Sequence, residues 1–289
     1  MKTVESLTES SPQTRGDASK EPRSAVSGPV LPREVAPGLV WTGGCLSYDF
    51  EGDKIHNHMG SYLIIGSERS LLVDTGHPVH WPVIEATLDR FLQGRPLDYV
   101  FPTHSEMPHA GSLERLIGKF PDLEVVGDVR DFHLFYPDHA ERLRQGKVGD
   151  AIDLGGRELV FVEAIWRDLP NTLWAYDTGS QTLFPADGFA YTHHHLSHEC
   201  AMLSTERSVP SERATVYINE RALFWTRYVG VERSFALIDK LFSDREVKLV
   251  GPAHGNMIDN LEDMIPLMKQ GMLSMRRARV DGSRSVVGY

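Results

Sequence analysis

The sequence predicts an α/β fold: two sheets packed face to face between outer layers of helix, a four-layer αββα sandwich. Three observations carry this expectation. Short apolar runs of strand character alternate with longer stretches of helical periodicity. The runs come in two successive sets, strands and helices and then strands and helices again, as two sheets each covered on an outer face require. Four of the strand-like runs also end in residues able to ligate a metal. Chemistry at the carboxyl ends of strands is the usual arrangement in α/β folds.

The elements follow in order. Residues 1–33 are rich in Ser, Glu, Pro and Thr and lack an apolar signal core. Residues 1–34 are therefore expected to be a flexible N-terminal arm, and residues 35–289 one domain. Gly38 to Trp41 and Tyr48 to Phe50 read as early strands. Tyr62 to Ile65 and Leu71 to Val73 follow, with Gly66 to Arg69 as the hairpin turn between them. Val83, Ile84, Ala86, Leu88, Phe91 and Leu92 recur at helical spacing and predict a helix over His80 to Leu92, ended near Gly94. Tyr99 to Phe101 is a short strand, followed by a helix from Ser112 to Phe120, a strand at Leu123 to Val126 and a helix over Arg130 to Arg144. The second set has strands at Leu159 to Ala164, Thr172 to Tyr176 and Thr182 to Phe184. Helical pattern covers Glu212 to Leu241, broken near Val229-Gly230. A last strand at Lys248 to Val250 and a last helix at Leu261 to Met275 complete it.

Composition bounds the function. The 289 residues are ample for a large core. Hydrophobic content of 41% and charged content of 24% are those of a globular protein. A net charge of -10 and a pI near 5.7 disfavour nucleic acid or an acidic membrane surface as partners. No apolar stretch is long enough to span a bilayer. Two cysteines, Cys45 and Cys200, are too few for a disulfide scaffold, so a reducing cytoplasm is expected.

The chemistry centres on Thr103-His104-Ser105-Glu106-Met107-Pro108-His109-Ala110-Gly111, a loop between a strand and a helix. Two imidazoles and a carboxylate there can face one small volume, a ligand set that suits iron, zinc or manganese. Other strand ends supply Asp74-Thr75-Gly76, Asp187-Gly188 and His254-Gly255. Together these four strand ends resemble the metallo-β-lactamase superfamily, from about Val40 to His254. The closer resemblance is to the metal domain of flavodiiron proteins. That branch carries Glu at the third position of the metal loop, as Glu106 is here, followed by a small residue and Gly, as Ala110-Gly111 are. The stretch Asn57 to Ile64 also looks like that branch's entry strand.

The resemblance implies a metallo-β-lactamase-like, metal-binding domain with His104, Glu106, His109, Asp168, Asp187 and His254 as ligands. Asp187 would bridge two metals. Metal one would see His104, Glu106 and Asp168; metal two would see His109 and His254. Two positions depart from the family. Pro108 stands where an Asp ligand is expected, and Asp168 stands where a His is expected. A proline side chain has no donor atom, so a one-metal site or a metal-free relic stay open beside the two-metal site. Neighbouring carboxylates and no thiolate rank iron first, with manganese and zinc behind it. Asp74 is implied to brace the metal loop without ligating. Thr192 to Cys200 holds four histidines, of which His195 is the candidate acid or base, although a histidine-rich surface loop explains them as well. His56, His58 and His77 carry the same two readings. Trp81, Trp166, Trp174, Phe189 and Tyr191 are candidates to line an apolar pocket for an aromatic substrate, with core or rim packing as the other reading for most of them.

Flavodiiron proteins use electrons from a fused flavin domain. This sequence runs 35 residues beyond His254, short for a domain of ordinary size, so no flavin is expected in this chain. The leading expectation is therefore a hydrolase, in which metals lower the pKa of a bound water. Asp168 or His195 would handle protons. The substrate would be a small-molecule ester, phosphoester or activated ether, with aryl ethers among them. A second reading is an iron-dependent oxygen or nitric oxide reductase, oxygenase or oxygen-binding protein that needs an external electron donor. A third is a non-catalytic subunit paired with a homologous chain. A homo-oligomer or a hetero-oligomer with a homologue is expected.

Overall fold

Two sheets form the inside of the molecule, flanked by helices. The computed structural model describes residues 29–50, 52–194 and 200–280. The first sheet holds seven strands in chain order. They are β1 (Arg33–Ala36), β2 (Leu39–Phe50), β3 (Asp53–Ile65), β4 (Ser70–Val73), β5 (Tyr99–Phe101), β6 (Glu124–Gly127) and β7 (Leu143–Gln145). β1 to β4 pair antiparallel, and β4 to β7 pair parallel. The second sheet contains β8 (Ala151–Asp153), β9 (Glu158–Val162), β10 (Trp174–Asp177), β11 (Thr182–Phe184) and β12 (Leu249–Val250). Its strand order is β12-β11-β10-β9-β8, with only the β11–β12 pair parallel.

Three apolar layers hold the sandwich. Between the sheets, Leu39, Trp41, Tyr62, Ile64 and Phe101 pack with Phe161, Ala175 and Phe184. On the outer face of the first sheet, α1 (Trp81–Leu92), α2 (Met107–Ala110) and α3 (Leu113–Lys119) lie in chain order. Ile84, Leu88 and Leu92 of α1 and Leu113, Leu116 and Ile117 of α3 meet Val40, Leu63, Leu72 and Val100 there. On the second sheet, α4 (Glu212–Ala222), α5 (Glu232–Asp244) and α6 (Leu261–Val280) form the cover. Met264, Met268, Met272 and Met275 stripe one face of α6 at helical spacing and pack on Trp174, Leu183 and Val250. The four-layer αββα expectation is thus met. No helix among the described residues is long and apolar enough to cross a membrane.

Differences from the sequence reading are local. The two early strands are one strand, β2, because Gly43 and Gly44 continue the ladder opposite Gly60 and Met59. Gly43 has φ +111°, and a Cβ there would lie 2.0 Å from the Met59 carbonyl oxygen, so only glycine permits that approach. The helix expected over Arg130 to Arg144 is replaced by 3-10 turns at Phe132–Leu134 and Pro137–Arg142, followed by β7. Phe132 is buried but Leu134 and Phe135 are exposed, so no single apolar face anchors a helix, and Pro137 interrupts it. Of the expected arm, residues 1–28 lie outside the described residues. Arg33 and Glu34 already belong to β1, and Arg33 makes two hydrogen bonds of 2.7 and 2.8 Å to the Glu206 carboxylate.

One side of the site is built where the sheets meet. After β12, Pro252 to Gly255 runs beside β3: Gly60 N–H donates to the Ala253 carbonyl and Gly255 N–H to the His58 carbonyl, both at 2.9 Å. The Tyr62 hydroxyl donates to the Pro252 carbonyl at 2.8 Å.

A buried ion pair offers a test of the scaffold. Arg157 Nε donates to Asp177 Oδ1 at 2.9 Å, a second prong joins Nη2 to Oδ2, and Nη1 donates to the Pro37 carbonyl at 2.9 Å. Asp177 is fully buried. Asp177→Ala would strand the guanidinium, so unfolding by denaturant is expected to show a loss of about 3–5 kcal/mol. A loss below about 1 kcal/mol would equate the pair with an exposed one.

Candidate metal centre

Asp74 builds the first half of the centre. It ends β4 with φ 53°, a left-handed turn that sends its carboxylate under the loop after β5. Asp74 Oδ1 accepts from Thr103 N–H at 2.7 Å, and Oδ2 accepts from the Thr103 hydroxyl at 3.2 Å. His109 Nδ1 lies 3.0 Å from Oδ2. With Nδ1–H donating to Asp74, the Nε2 lone pair of His109 is free to face a metal. Thr75 locks the same loop, its N–H donating to the His109 carbonyl at 2.9 Å and its hydroxyl accepting from Ser112 N–H at 3.0 Å. Asp74 therefore braces the loop, the role the resemblance implied for it.

Asp187 joins the two sheets' contributions. Ala186, with φ 50°, turns the chain after β11 so that the Asp187 carboxylate enters the interior. One oxygen, Oδ1, is 3.2 Å from His109 Nε2 and 3.3 Å from His254 Nε2. His254 is fixed from behind. Gly255 has φ +112°, and a Cβ there would meet the Tyr191 ring at 2.8 Å. Asn57 Nδ2 lies 3.3 Å from His254 Nδ1. An amide rotated by half a turn lets Asn57 Oδ1, which is buried and makes no other hydrogen bond, accept from Nδ1–H. That tautomer leaves His254 Nε2 with its lone pair toward Asp187.

His104 and Asp168 complete the other half. Their atoms Nε2 and Oδ2 are 3.1 Å apart, and Glu106 Oε2 is 3.9 Å from the same nitrogen. The His104 and His109 ring centroids are 3.7 Å apart. Asp168 is held by the Thr172 hydroxyl, which donates to Oδ1 at 2.6 Å, and Leu173 N–H ties the segment to the Thr103 carbonyl at 2.9 Å. Donor atoms of His104, Glu106, Asp168 and Asp187 lie within 4.8 Å of one another, as do those of His104, His109 and Asp187. The structure thus brings together His104, Glu106, His109, Asp168, Asp187 and His254.

The donor set fits metal ions. His104 Nε2, His109 Nε2, Asp168 Oδ2 and Asp187 Oδ1 are buried and make no hydrogen bond, though they lie 3.1 to 3.2 Å apart in pairs. Buried polar atoms left this way are costly unless a cation satisfies them. The charges agree. Burial opposes a proton on His109, yet Asp74 and Asp187 outweigh it and raise its pKa well above the usual histidine value. Burial also opposes ionisation of Asp187, but His254 and His109 hold it well below the usual carboxylate range. Burial lowers His254. Contact with His104 lowers Glu106. A proton on His109 is thus a stand-in for the positive charge that the buried carboxylates require.

A cleft of about 320 Å³ opens over the centre, lined by Asn57, Met59, Glu106, Pro108, Tyr217 and Arg221 among others. Pro108 forms part of its wall and offers no donor. The aromatic residues expected to line a pocket do not. Trp166, Trp174, Phe189 and Tyr191 are buried in the layer under α4 to α6, and Trp81 packs half-buried on the first sheet, so the aromatic-substrate expectation loses its support. Of the histidine-rich stretch, His193 turns to Cys45 and His194 is exposed with Nδ1 3.2 Å from the Lys54 carbonyl. His195, the expected acid or base, lies outside the described residues. His77 caps a 3-10 turn by accepting from Val79 N–H at 3.2 Å. Sequence reasoning missed Asn57, Thr172, Tyr217 and Arg221, which carry no spacing signal; only the fold brings them to the ligands.

Comparisons with known proteins agree with this geometry. A family model described as metallo-beta-lactamase superfamily matches residues 61–208. The chain is 27% identical over 242 residues to a coenzyme F420H(2) oxidase of Methanothermobacter thermautotrophicus, covering 78% of this chain and 57% of that one. It is 33% identical over 150 residues to an anaerobic nitric oxide reductase flavorubredoxin of Aliivibrio salmonicida, covering 49% and 30%. In structure it is similar to the flavodiiron protein of Giardia intestinalis, with a TM-score of 0.61 at 21% identity over 85% of this chain and 58% of that one. The chain spans little more than half the length of the first curated relatives it matches. The resemblance to flavodiiron proteins holds. The hydrolase expectation does not: relatives named as an oxidase and a reductase overturn it in favour of the oxidoreductase reading.

Removing the braces tests the centre. Asp74→Ala and Asn57→Ala are each expected to weaken metal retention about 10–100-fold, the usual effect of losing a group that orients a ligating histidine. Competition against a chelator, followed by elemental analysis, measures it. Unchanged retention in both would mean that His109 and His254 do not hold metal.

Proposed function

The chain belongs to the metallo-beta-lactamase superfamily, and from that premise we propose that it is a di-iron oxidoreductase that reduces dioxygen or nitric oxide with electrons from a reduced donor. The carrying observation is the set of buried, hydrogen-bond-deficient histidine and carboxylate atoms around Asp187. The names of the relatives support the reaction class. Nitrogen and carboxylate donors without thiolate favour iron, with manganese and zinc behind it.

His104, Glu106 and Asp168 would hold one ion, His109 and His254 the other, and Asp187 would lie between them. Iron in these positions would supply a binding point for the diatomic substrate and a route for electrons. The chain's own residues prepare the place. Asp74 and Asn57 fix the tautomers of His109 and His254. Met59, Pro108, Ile218 and Ala222 give the cleft apolar walls that limit water while admitting a small neutral molecule. Pro108 supplies no donor to the His109 side, and Glu106, Asp187 and His254 are the donors that line the cleft. Four electrons and four protons turn dioxygen into two waters; two of each turn two nitric oxides into nitrous oxide and water.

The test uses the full chain loaded with iron and supplied with a reduced flavin or small redox protein. Consumption of dioxygen or nitric oxide, followed with an electrode, is expected to depend on iron and to fall about 100-fold or more in His254→Ala and Asp187→Ala. No consumption above that of the metal-free chain, with either gas, overturns the proposal.

A further inference from the structure

Arg221 holds no metal ligand in place, yet it lines the same cleft as Glu106, Asp187 and His254 and is exposed at its mouth. Two contacts fix it. Its Nη1 donates to the Tyr217 carbonyl, one helical turn back on α4, at 2.6 Å. Its guanidinium carbon lies 3.9 Å from the centroid of the Tyr217 ring. Tyr217 is itself braced. It is buried, it meets the Phe50 ring edge-on with centroids 4.7 Å apart, and its centroid is 6.2 Å from that of Tyr48 near the end of β2. The guanidinium is thus clamped beside the cleft.

The clamp leaves its charge unanswered. Among the described residues Arg221 makes no ion pair, and its remaining N–H groups reach no protein acceptor. The carboxylates of the cleft wall, Glu106 and Asp187, are metal ligands in the reading above. Two divalent ions would be matched by the four carboxylates of Glu106, Asp168, Asp187 and the bracing Asp74, so the formal charges of the reduced centre cancel. Oxidation would make that balance positive. The Arg221 charge therefore stands uncompensated beside a centre that is neutral or cationic. A neutral diatomic gas gains little from such a charge. A small anion gains Coulomb energy, and a cleft with low-dielectric walls enlarges the gain.

We propose that this cleft also binds a small monovalent anion, of the size of azide or nitrite, with Arg221 as its counter-charge and Tyr217 as the group that positions Arg221. The cleft, of about 320 Å³, has room for it. The inference deepens the proposed function and rests on its metal-binding part, since it gives the same centre a charged ligand beside the neutral gas. Anion and gas would share one approach, so the anion would compete with the gas and restrain its reduction.

Azide is the probe, titrated into the oxidised, iron-loaded full chain at constant ionic strength and followed by the azide-to-iron absorption band. Nitric oxide, titrated into the reduced chain and followed by its own absorption on iron, is the neutral reference. Arg221→Gln is expected to weaken azide about tenfold more than it weakens nitric oxide, and Arg221→Lys, which keeps the charge, to recover most of that difference. Added salt of a non-coordinating anion is expected to narrow the difference between wild type and Arg221→Gln. Equal weakening of both ligands in Arg221→Gln would give Arg221 a packing role and overturn the proposal. An azide affinity unchanged in that variant overturns it too, as does the absence of an azide band in wild type shown by elemental analysis to hold iron. Gas consumption keeps the two readings apart. Azide binding that depends on Arg221 in a chain that consumes neither gas sustains the anion site and removes the oxidoreductase reading. Gas consumption with azide binding indifferent to Arg221 removes the anion site alone.

Discussion

One carboxylate oxygen, Asp187 Oδ1, sits between two imidazole nitrogens at 3.2 and 3.3 Å, and the arrangement of the molecule follows from it. His109 comes from the first sheet's loop. Asp187 and His254 follow strands of the second sheet. The contact exists only if the two sheets meet at one spacing and one register. The inner layer sets both. Tyr62 reaches across to the Pro252 carbonyl, and a Cβ at Gly251 would lie 2.9 Å from Tyr62 and 3.0 Å from Phe184. A larger residue at Gly251 would push the His254 strand end away from Asp187. Core packing and donor geometry are therefore one constraint in this fold.

The two halves of the centre differ in chemistry. Around His104 the other donors are Glu106, Asp168 and Asp187, a mostly anionic oxygen set. Around Asp187 on the far side are His109 and His254, two neutral-type nitrogens, with Pro108 where a further carboxylate is absent. Oxygen-rich coordination favours the more oxidised state of a metal, while neutral nitrogen coordination favours the more reduced. Such a pair would be electronically unequal. Asp168 makes this inequality larger, because it adds a charge where the family pattern has a neutral imidazole. Thr172 lowers the cost by hydrogen bonding to the carboxylate oxygen that faces away from His104.

Ligand-type residues at strand ends were legible in the sequence because they share a pattern: an apolar run, a donor, then glycine. Asp74, Asp187 and His254 stand out that way, and His104, Glu106 and His109 stand out by spacing. The layer order was legible for the same reason, as period and run length report sheet and helix directly. What escaped is what depends on contacts distant in sequence. Asn57 reaches His254 across 197 positions, and nothing in its neighbours announces that. The glycines of β2 looked like a break because their role is to let another strand approach. The aromatic residues near the motifs allowed both a pocket and a core reading, and the full burial of Trp166 and Trp174 decides for the core. Reaction class escaped for another reason, since the same ligands can polarise a water or bind a gas and the residues alone do not choose.

β3 shows how one strand can serve the centre with one face and the packing behind it with the other. Successive side chains point to opposite faces. Asn57 and Met59 face the cleft and the histidine–carboxylate centre, while His58 faces Cys45. The carbonyl of His58 accepts from Gly255, so the strand is also pinned to the residue after His254. Any displacement of His58 would be felt at Gly255 and at Asn57, the two groups that orient His254. The face of β3 turned away from the cleft thus holds the donor geometry in place without supplying a ligand. The pleat, not distance along the chain, divides the residues that serve the centre from those that pack behind it.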